Sequence, residues 1–224
     1  AHSGERLGPL RVTQAGLVTP AAIRNATFTT AALALLGGAY LVAHGGWPIL
    51  LPGILSIYFA CKYSMGRNSL ARLGLGEVFV IVFFGLVPVC GIYYLLTSGF
   101  RFEIILPALA AGFSSTAILV VNNLRDIESD RRAGKRTLAV RFGEAFSRAE
   151  FCVCLCCSIL SFGLYSLISG SSAGLILSVL AVFPALFLYM EVGNSHGREL
   201  NRTLARTAGF SGLIGALIVL AELL

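Results

Sequence analysis

The sequence has few charged residues, and this scarcity excludes most classes of protein at once. Charged side chains make up only 12% of the 224 residues, and there are just two aspartates. Hydrophobic residues make up 56%, which is above the usage of soluble domains, and the mean hydropathy is +0.82. A soluble fold has too little interior to hide so much apolar surface, so the composition predicts an integral membrane protein.

Metal-binding cysteine and histidine patterns are also lacking. There are six cysteines and three histidines, and four of the cysteines fall in the short run CVCLCC at 152–157. This run lies in an apolar stretch without a nearby histidine, where forming several thiolates would be costly. We therefore interpret the cysteines as small packing residues between helices.

Apolar runs long enough to cross a membrane recur along the chain. A helix needs about 20 apolar residues to cross a hydrocarbon core about 30 Å thick. The sequence predicts an all-α, polytopic transmembrane helix bundle with seven spans: 22–43, 48–64, 77–97, 103–122, 146–168, 173–192 and 204–223.

The basic residues are distributed unevenly between the two sides of this predicted bundle. One side collects 16 of the 17 lysines and arginines, counting the adjacent helix ends, and only Arg101 lies opposite. The positive-inside rule places this side in the cytoplasm. Topology thus accounts for the net charge of +6, and we expect no nucleic-acid partner. The connections on this side are 1–21, 65–76, 123–145 and 193–203.

One segment, residues 121–143, concentrates polar side chains. It reads VNNLRDIESDRRAGKRTLAVRFG and contains both aspartates, Asp126 and Asp130. Helical continuation would place these two carboxylates one turn apart on one face, with Asn122 one turn before Asp126. Two such carboxylates repel each other unless a cation lies between them, and Mg²⁺ prefers oxygen ligands of this kind.

The basic side chains of the same segment suggest an anionic ligand. Guanidinium groups bind phosphate oxygens in a bidentate manner, and lysine supplies a point charge. A site at a membrane edge that combines carboxylates, a divalent metal and basic groups predicts a substrate with a lipid tail and a diphosphate head. The alternative is a basic loop whose acids only form surface ion pairs, which contribute about 0–1 kcal/mol each. The basic residues are Arg125, Arg131, Arg132, Lys135, Arg136 and Arg141.

At this point the sequence resembles a known family. NNLRDIESDRRAGKRTLAVRFG, at 122–143, is similar to the second aspartate-rich motif of the UbiA superfamily of intramembrane prenyltransferases. RLGPLR at 6–11 and YSMGRNSLARLGLGEVFVIVFFG at 63–85 resemble further segments of the branch that prenylates 1,4-dihydroxy-2-naphthoate in menaquinone synthesis. Tyr63 and Arg67 match the superfamily's Tyr-x-x-x-Lys element, with arginine in place of lysine.

The resemblance implies a bundle of nine transmembrane helices with two aspartate motifs at its cytoplasmic end. We therefore interpret residues 1–224 as a single membrane-embedded prenyltransferase domain that lacks the first two helices and the first aspartate motif. That motif should stand just before the segment 6–11. We expect it upstream of Ala1, because the sequence does not begin with methionine.

The resemblance also implies the residue roles. Asp126 and Asp130 would be the catalytic and metal-binding residues, holding Mg²⁺ against the diphosphate of a polyprenyl donor. Phe79, Phe83 or Phe84 would face an allylic cation, and Glu77 is a further polar candidate. The diphosphate-binding residues would be Arg67, Lys135, Arg136, Arg125, Arg6, Arg11, Asn122, Asn123 and Tyr63.

The implied reaction joins the polyprenyl group to 1,4-dihydroxy-2-naphthoate with loss of carboxylate, giving demethylmenaquinone and diphosphate. The implied setting is a bacterial inner membrane with the active site facing the cytoplasm. Another aromatic acceptor, a catalytically inactive truncated homologue and a transporter remain alternatives. Ionisable residues mark transport pathways inside membranes, but here they gather at one edge. The oligomeric state stays open.

Overall fold

The structure, a computed structural model of the chain, describes residues 16–64 and 70–224. Its regular elements are all helical, which confirms the predicted all-α polytopic membrane protein. The helices are, in chain order, α1 Pro20–Gly45, α2 Trp47–Ser64, α3 Leu70–Leu73, α4 Gly76–Thr97, α5 Phe102–Arg125, α6 Ile127–Arg132, α7 Leu138–Ser169, α8 Ser172–Asn194 and α9 Gly197–Leu223.

Among the described residues, six helices rather than the predicted seven are long and apolar enough to cross a membrane: α1, α4, α5, α7, α8 and α9. The exception is α2, which corresponds to the predicted span 48–64. This helix has 18 residues, but Pro52 and Lys62 lie within it and reduce its apolar character. A count of seven spans is therefore not confirmed.

Three of the membrane helices are irregular in ways that the hydropathy pattern does not predict. A π-helical turn, Ile81–Leu86, interrupts α4. Helix α7 begins at Leu138 instead of the predicted 146, because Thr137 caps it by accepting a hydrogen bond from the Val140 amide, and it is broken at Gly143. Helix α8 consists of two helical pieces that meet at Ala181.

Helix α5 lies at the centre of the bundle and packs against α4, α7 and α9. Its buried face is rich in small residues, including Ala110, Ser114 and Ala117, each with no exposed surface. Large side chains such as Phe151 and Phe162 of α7 fill the space beside them. Small residues let helix backbones approach closely, which is a main source of helix association inside membranes.

Two connections dock on each other at one end of this bundle. Arg72 donates a hydrogen bond to the Ala133 carbonyl at 2.5 Å, and the Arg136 amide donates to the Arg72 carbonyl at 2.8 Å. Gly74 makes the approach possible: its φ is +75°, and a Cβ there would lie 2.5 Å from the Arg136 carbonyl oxygen. Residues 72–74, just before α4, are thereby fixed beside the segment that carries both aspartates.

Candidate active site

A polar cavity of about 220 Å³ opens where these connections meet. Its walls come from the end of α2, the start of α4, the end of α5 and the segment after α6. Acidic, basic and amide side chains therefore converge there from parts of the chain far apart in sequence. The lining residues are Tyr63, Gly74, Gly76, Glu77, Leu119, Asn122, Asn123, Asp130, Lys135 and Thr137.

Asp130 and Lys135 form an ion pair in the wall of this cavity. Lys135 Nζ donates to Asp130 Oδ1 at 2.6 Å, and the Asp130 side chain is 8% exposed while that of Lys135 is 39% exposed. The backbone holds the pair together, because the Lys135 amide also donates to the Asp130 carbonyl at 3.0 Å. A buried carboxylate next to a more open ammonium leaves the cation available to an anionic ligand.

Asp126 has a different environment. Helix α5 ends at Arg125, and both Asp126 carboxylate oxygens accept hydrogen bonds from the Arg125 guanidinium, at 2.7 and 2.8 Å. Asp126 is not among the residues that line the cavity. The Asp130 amide still donates to the Asp126 carbonyl at 2.8 Å, so the one-turn spacing holds although each carboxylate has its own cationic partner.

Arg125 is the most connected side chain of the site and is almost completely buried. Besides Asp126, it donates to Asn122 Oδ1 at 2.7 Å and to Asn201 Oδ1 at 2.9 Å. Asn201 belongs to α9, and the sequence analysis did not include it. Asn201 lies in the predicted connection 193–203, just before the last predicted span, and its polar side chain there was the available signal.

The two asparagines have separate roles. Both line the cavity. The Asn122 side-chain oxygen accepts from Arg125, whereas the Asn123 side-chain amide donates to Glu77 Oε1 at 3.0 Å. Glu77 is 8% exposed and lines the same cavity, so the polar residue noted at the start of the third predicted span belongs to the site. Asn123 thus ties α5 to the first turn of α4.

The remaining predicted residues divide into three groups. Tyr63 lines the cavity, with its hydroxyl close to Gly76. The Arg136 side chain is exposed and is not among the lining residues; its backbone contributes through the loop contact to Arg72. The predictions for Arg6, Arg11 and Arg67 lie outside the described residues.

Thr137 and Arg72 are two further residues that the sequence analysis did not assign to the site. Thr137 is buried, lines the cavity and caps α7, while Arg72 fixes the neighbouring loop. A threonine just before an apolar run is a helix-start signal, so the position of Thr137 was recognisable. Its place in the cavity depends on the tertiary contact.

Aromatic rings lie further along α4. Phe79 and Phe83 are stacked with centroids 5.8 Å apart, and Phe59 of α2 contacts both, at 4.9 and 5.6 Å. Phe84, which was grouped with them in the sequence, is 66% exposed on another face. The three clustered rings form an aromatic group between α2 and α4.

A second cavity, of about 1310 Å³, lies between α1, α2 and α4 and is lined almost entirely by apolar side chains. Its α2 wall covers residues from Pro48 to Ile57, and its α4 wall covers residues from Leu86 to Leu95. The aromatic group occupies the same two helices between these walls and the polar cavity. The apolar cavity and the polar cavity therefore share α2 and α4.

The donor set of the polar cavity is of the type that Mg²⁺ uses. Asp130 and Asn122 present carboxylate and amide oxygens there, and Asp126 lies one turn before Asp130. Mg²⁺ is commonly held by one or two carboxylates together with substrate phosphates and water. Within residues 16–64 and 70–224 no group of three or more acidic, histidine or cysteine side chains is placed to hold a metal alone. The residues fit an ion that shares its ligands with a substrate.

Together, fold and site define a polytopic helical membrane protein with a carboxylate- and cation-lined cavity at one end of its bundle. The model of the UbiA prenyltransferase family matches residues 5–213. The chain therefore belongs to the UbiA prenyltransferase family and is a prenyltransferase. This confirms the resemblance seen in the sequence.

Three similar proteins are named 1,4-dihydroxy-2-naphthoate octaprenyltransferase. That of Haemophilus influenzae is 36% identical over 98% of this chain and 74% of the relative. That of Escherichia coli is 40% identical over 74% of this chain and 56% of the relative. That of Mycobacterium tuberculosis is 35% identical over 98% of this chain and 74% of the relative. No solved structure matches the chain significantly.

Proposed function

We propose that the protein transfers a polyprenyl group from polyprenyl diphosphate to 1,4-dihydroxy-2-naphthoate in a Mg²⁺-dependent reaction with loss of the carboxylate. The observation that carries this proposal is the Asp130–Lys135 ion pair in the wall of a polar cavity, in a chain whose similar relatives are named for this acceptor. The alternative acceptors are other aromatic acids.

The polar cavity is the proposed site of the diphosphate. Lys135 is half-exposed toward it and Tyr63 supplies a hydroxyl, so both can donate to phosphate oxygens. Arg125 contributes from behind the wall by orienting Asn122 and Asp126. These groups are fixed before the ligand arrives, and such preorganised donors stabilise the negative charge that develops on a leaving group.

Asp130 and Asn122, with Asp126, are the residues that would hold Mg²⁺. Asp126 would join only when the Arg125 guanidinium gives up its carboxylate. When bound, the ion would neutralise part of the diphosphate charge and so assist its departure.

The proposed reaction has three steps. The allylic C–O bond of the donor breaks, and its electron pair leaves with diphosphate. The electron-rich ring of the acceptor attacks the resulting allylic cation. The new bond forms at the ring carbon that carries the carboxylate. The bond to the carboxylate then breaks, carbon dioxide leaves, and demethylmenaquinone is released in its quinol form.

The apolar cavity is the proposed site of the polyprenyl tail. Its walls on α2 and α4 continue from the aromatic group, whose rings Phe59, Phe79 and Phe83 would adjoin the reacting carbon. Aromatic faces attract cations, and exclusion of water protects an allylic cation from hydrolysis.

The proposed topology places the polar cavity at the cytoplasmic side of a bacterial inner membrane. The basic connections meet at the cavity end, which agrees with the positive-inside rule. Helix α2 would act as a seventh span, because it reaches from the apolar cavity to Tyr63 in the polar cavity. Its ring contacts with α4 would compensate for its lower hydropathy.

The proposal is tested by supplying polyprenyl diphosphate, 1,4-dihydroxy-2-naphthoate and Mg²⁺ to membranes that contain the protein expressed from its complete reading frame. Prenylated quinol, diphosphate and carbon dioxide should form in equal amounts and should disappear with EDTA. Asp126→Asn and Asp130→Asn should each lower the rate by at least about 100-fold, as is usual for electrostatic groups in active sites.

Glu128→Gln is the matched control, since Glu128 lies between the two aspartates but forms an exposed pair with Arg131. Its rate should equal that of the wild type. If the folded protein forms no prenylated product with any aromatic acceptor, the proposed function is wrong. Product with another aromatic acid alone would move the assignment to that acceptor.

A further inference from the structure

Glu77 has a carboxylate oxygen without a hydrogen-bond partner among the described residues. The side chain is buried, and its Oε1 accepts from the Asn123 amide at 3.0 Å. The other oxygen, Oε2, is buried and unpaired within residues 16–64 and 70–224. Because Glu77 also lines the polar cavity, this unpaired oxygen lies within the wall of the proposed substrate site.

An unpaired buried carboxylate oxygen is energetically costly, since it has lost water without gaining a partner. Asn123 fixes the carboxylate in place, so Glu77 cannot simply turn away to find water. The arrangement therefore suits a ligand that supplies the missing hydrogen bond. That ligand brings a hydrogen-bond donor or a cation, because an ionised carboxylate oxygen accepts hydrogen bonds and binds cations.

The chemistry of the two substrates separates the possibilities. A diphosphate offers only acceptor oxygens, so it cannot supply the missing hydrogen bond to the Glu77 carboxylate. A dihydroxylated aromatic ring offers O–H donors, and the aromatic group begins at Phe79, two residues after Glu77 on the same helix.

We propose that the free carboxylate oxygen of Glu77 accepts a hydrogen bond from a ring hydroxyl of the aromatic acceptor, and so determines which acceptors are used. This inference rests on the proposed function. The hydrogen bond orients the ring and raises its electron density, which favours attack on the allylic cation. Sites built to bind a hydroxyl discriminate strongly against analogues that lack it.

Glu77→Gln tests the proposal with little change in shape. Glutamine keeps a carbonyl oxygen for the Asn123 amide and places an NH₂ group, a donor, where the free oxygen stood. KM for 1,4-dihydroxy-2-naphthoate should rise at least about tenfold, the effect of one hydrogen bond to a charged group. KM for the polyprenyl diphosphate should not change.

Glu191→Gln is the matched control. Glu191 of α8 also has a buried Oε2 without a partner in the described part of the chain, while its Oε1 accepts from Arg206 at 2.5 Å. Glu191 does not line the polar cavity. This substitution should leave KM for the aromatic acceptor unchanged. A rise in both variants would mean that loss of any buried carboxylate disturbs the fold, and would overturn the specific role of Glu77.

A second measurement uses the unaltered protein, in case Glu77→Gln does not fold. The two monomethyl ethers of 1,4-dihydroxy-2-naphthoate each block one hydroxyl, and at least one of them should lose activity by at least about tenfold. Equal use of both ethers and the parent compound would overturn the proposal.

The remaining outcomes are distinguishable. If Glu77→Gln shifts the Mg²⁺ activation curve but not KM for the acceptor, Glu77 is a metal ligand and the proposal is wrong. If the wild type makes no prenylated product, the proposed function fails. If the wild type is active and Glu77→Gln changes neither acceptor KM nor selectivity, only this inference fails.

Discussion

Gly85 of α4 lies directly against Gly112 of α5. A methyl group placed on Gly85 would be 2.6 Å from the Gly112 Cα and 2.8 Å from its backbone nitrogen, and would also collide with the Ala108 carbonyl. Gly85 lies in the π-helical turn Ile81–Leu86. This contact sets the orientation of α4, and with it the positions of Glu77 and of the stacked rings.

We expect Gly85→Ala to destabilise the protein by about 1–3 kcal/mol, because overpacking forces two helix backbones apart. Thermal unfolding in detergent is the measurement. Gly91→Ala serves as the control for stability: Gly91 lies in the same helix, and a Cβ there would have no atom of the described residues within 4 Å. An equal loss of stability in both variants would contradict the role given to the Gly85–Gly112 contact.

Lys135→Gln should weaken donor binding while the backbone of the site stays intact. The substitution removes a positive charge that is half-exposed at the cavity and leaves the Asp130 carboxylate without its cation. A hydrogen bond to a charged group contributes about 1.5–3 kcal/mol, so KM for polyprenyl diphosphate should rise at least about tenfold. The steady-state dependence on donor concentration measures this.

Arg132→Gln is the control for that experiment. Arg132 also lies in the segment after Asp130 but is exposed and does not line the cavity. An unchanged donor KM for Lys135→Gln would contradict a contact between Lys135 and the diphosphate. An equal change in both variants would indicate a general electrostatic effect instead of such a contact.

Gly74→Ala should impair activity more than its backbone strain alone explains. Gly74 has a φ of +75°, and a Cβ there would lie 2.5 Å from the Arg136 carbonyl oxygen, so alanine would separate the two docked connections. Gly170→Ala carries similar strain, about 1–2 kcal/mol, since the φ of Gly170 is +77°. Unlike at Gly74, a Cβ at Gly170 would have no atom of the described residues within 4 Å.

The comparison of these two glycine variants isolates the loop contact. The rate of prenyl transfer and protease sensitivity of the 126–137 segment should both change in Gly74→Ala and stay near wild type in Gly170→Ala. Similar behaviour of the two variants would show that docking of the connections does not support the site.

Much of the fold was predictable because membrane helices are specified by local composition. The helical class and six of the seven predicted spans follow from apolar runs, which need no tertiary information. The π-helical turn in α4 and the break at Gly143 do not follow, since they depend on packing between helices. Helix α2 is the exception, because it is predicted as a span but is not among the helices that are long and apolar enough to cross a membrane.

The grouping of site residues was predictable where they are close in sequence. Asp130 and Lys135, predicted for the metal and the diphosphate, lie five residues apart and line the same cavity, although they form an ion pair there. The same reasoning could not show that Arg125 occupies both oxygens of Asp126, or that Asn201 joins them from another helix. Those contacts depend on how α5 and α9 pack, which no spacing in the sequence encodes.

The unequal sizes of the two cavities have a consequence for substrate choice. The polar cavity holds about 220 Å³ and is surrounded by fixed hydrogen-bonding groups, whereas the apolar cavity holds about 1310 Å³ and has almost none. The proposed function therefore predicts strict recognition of the diphosphate head group and little discrimination between tails of different length. Under the proposed function, this contrast predicts that the prenyl chain length follows the isoprenoid supply of the cell and is not measured by the protein.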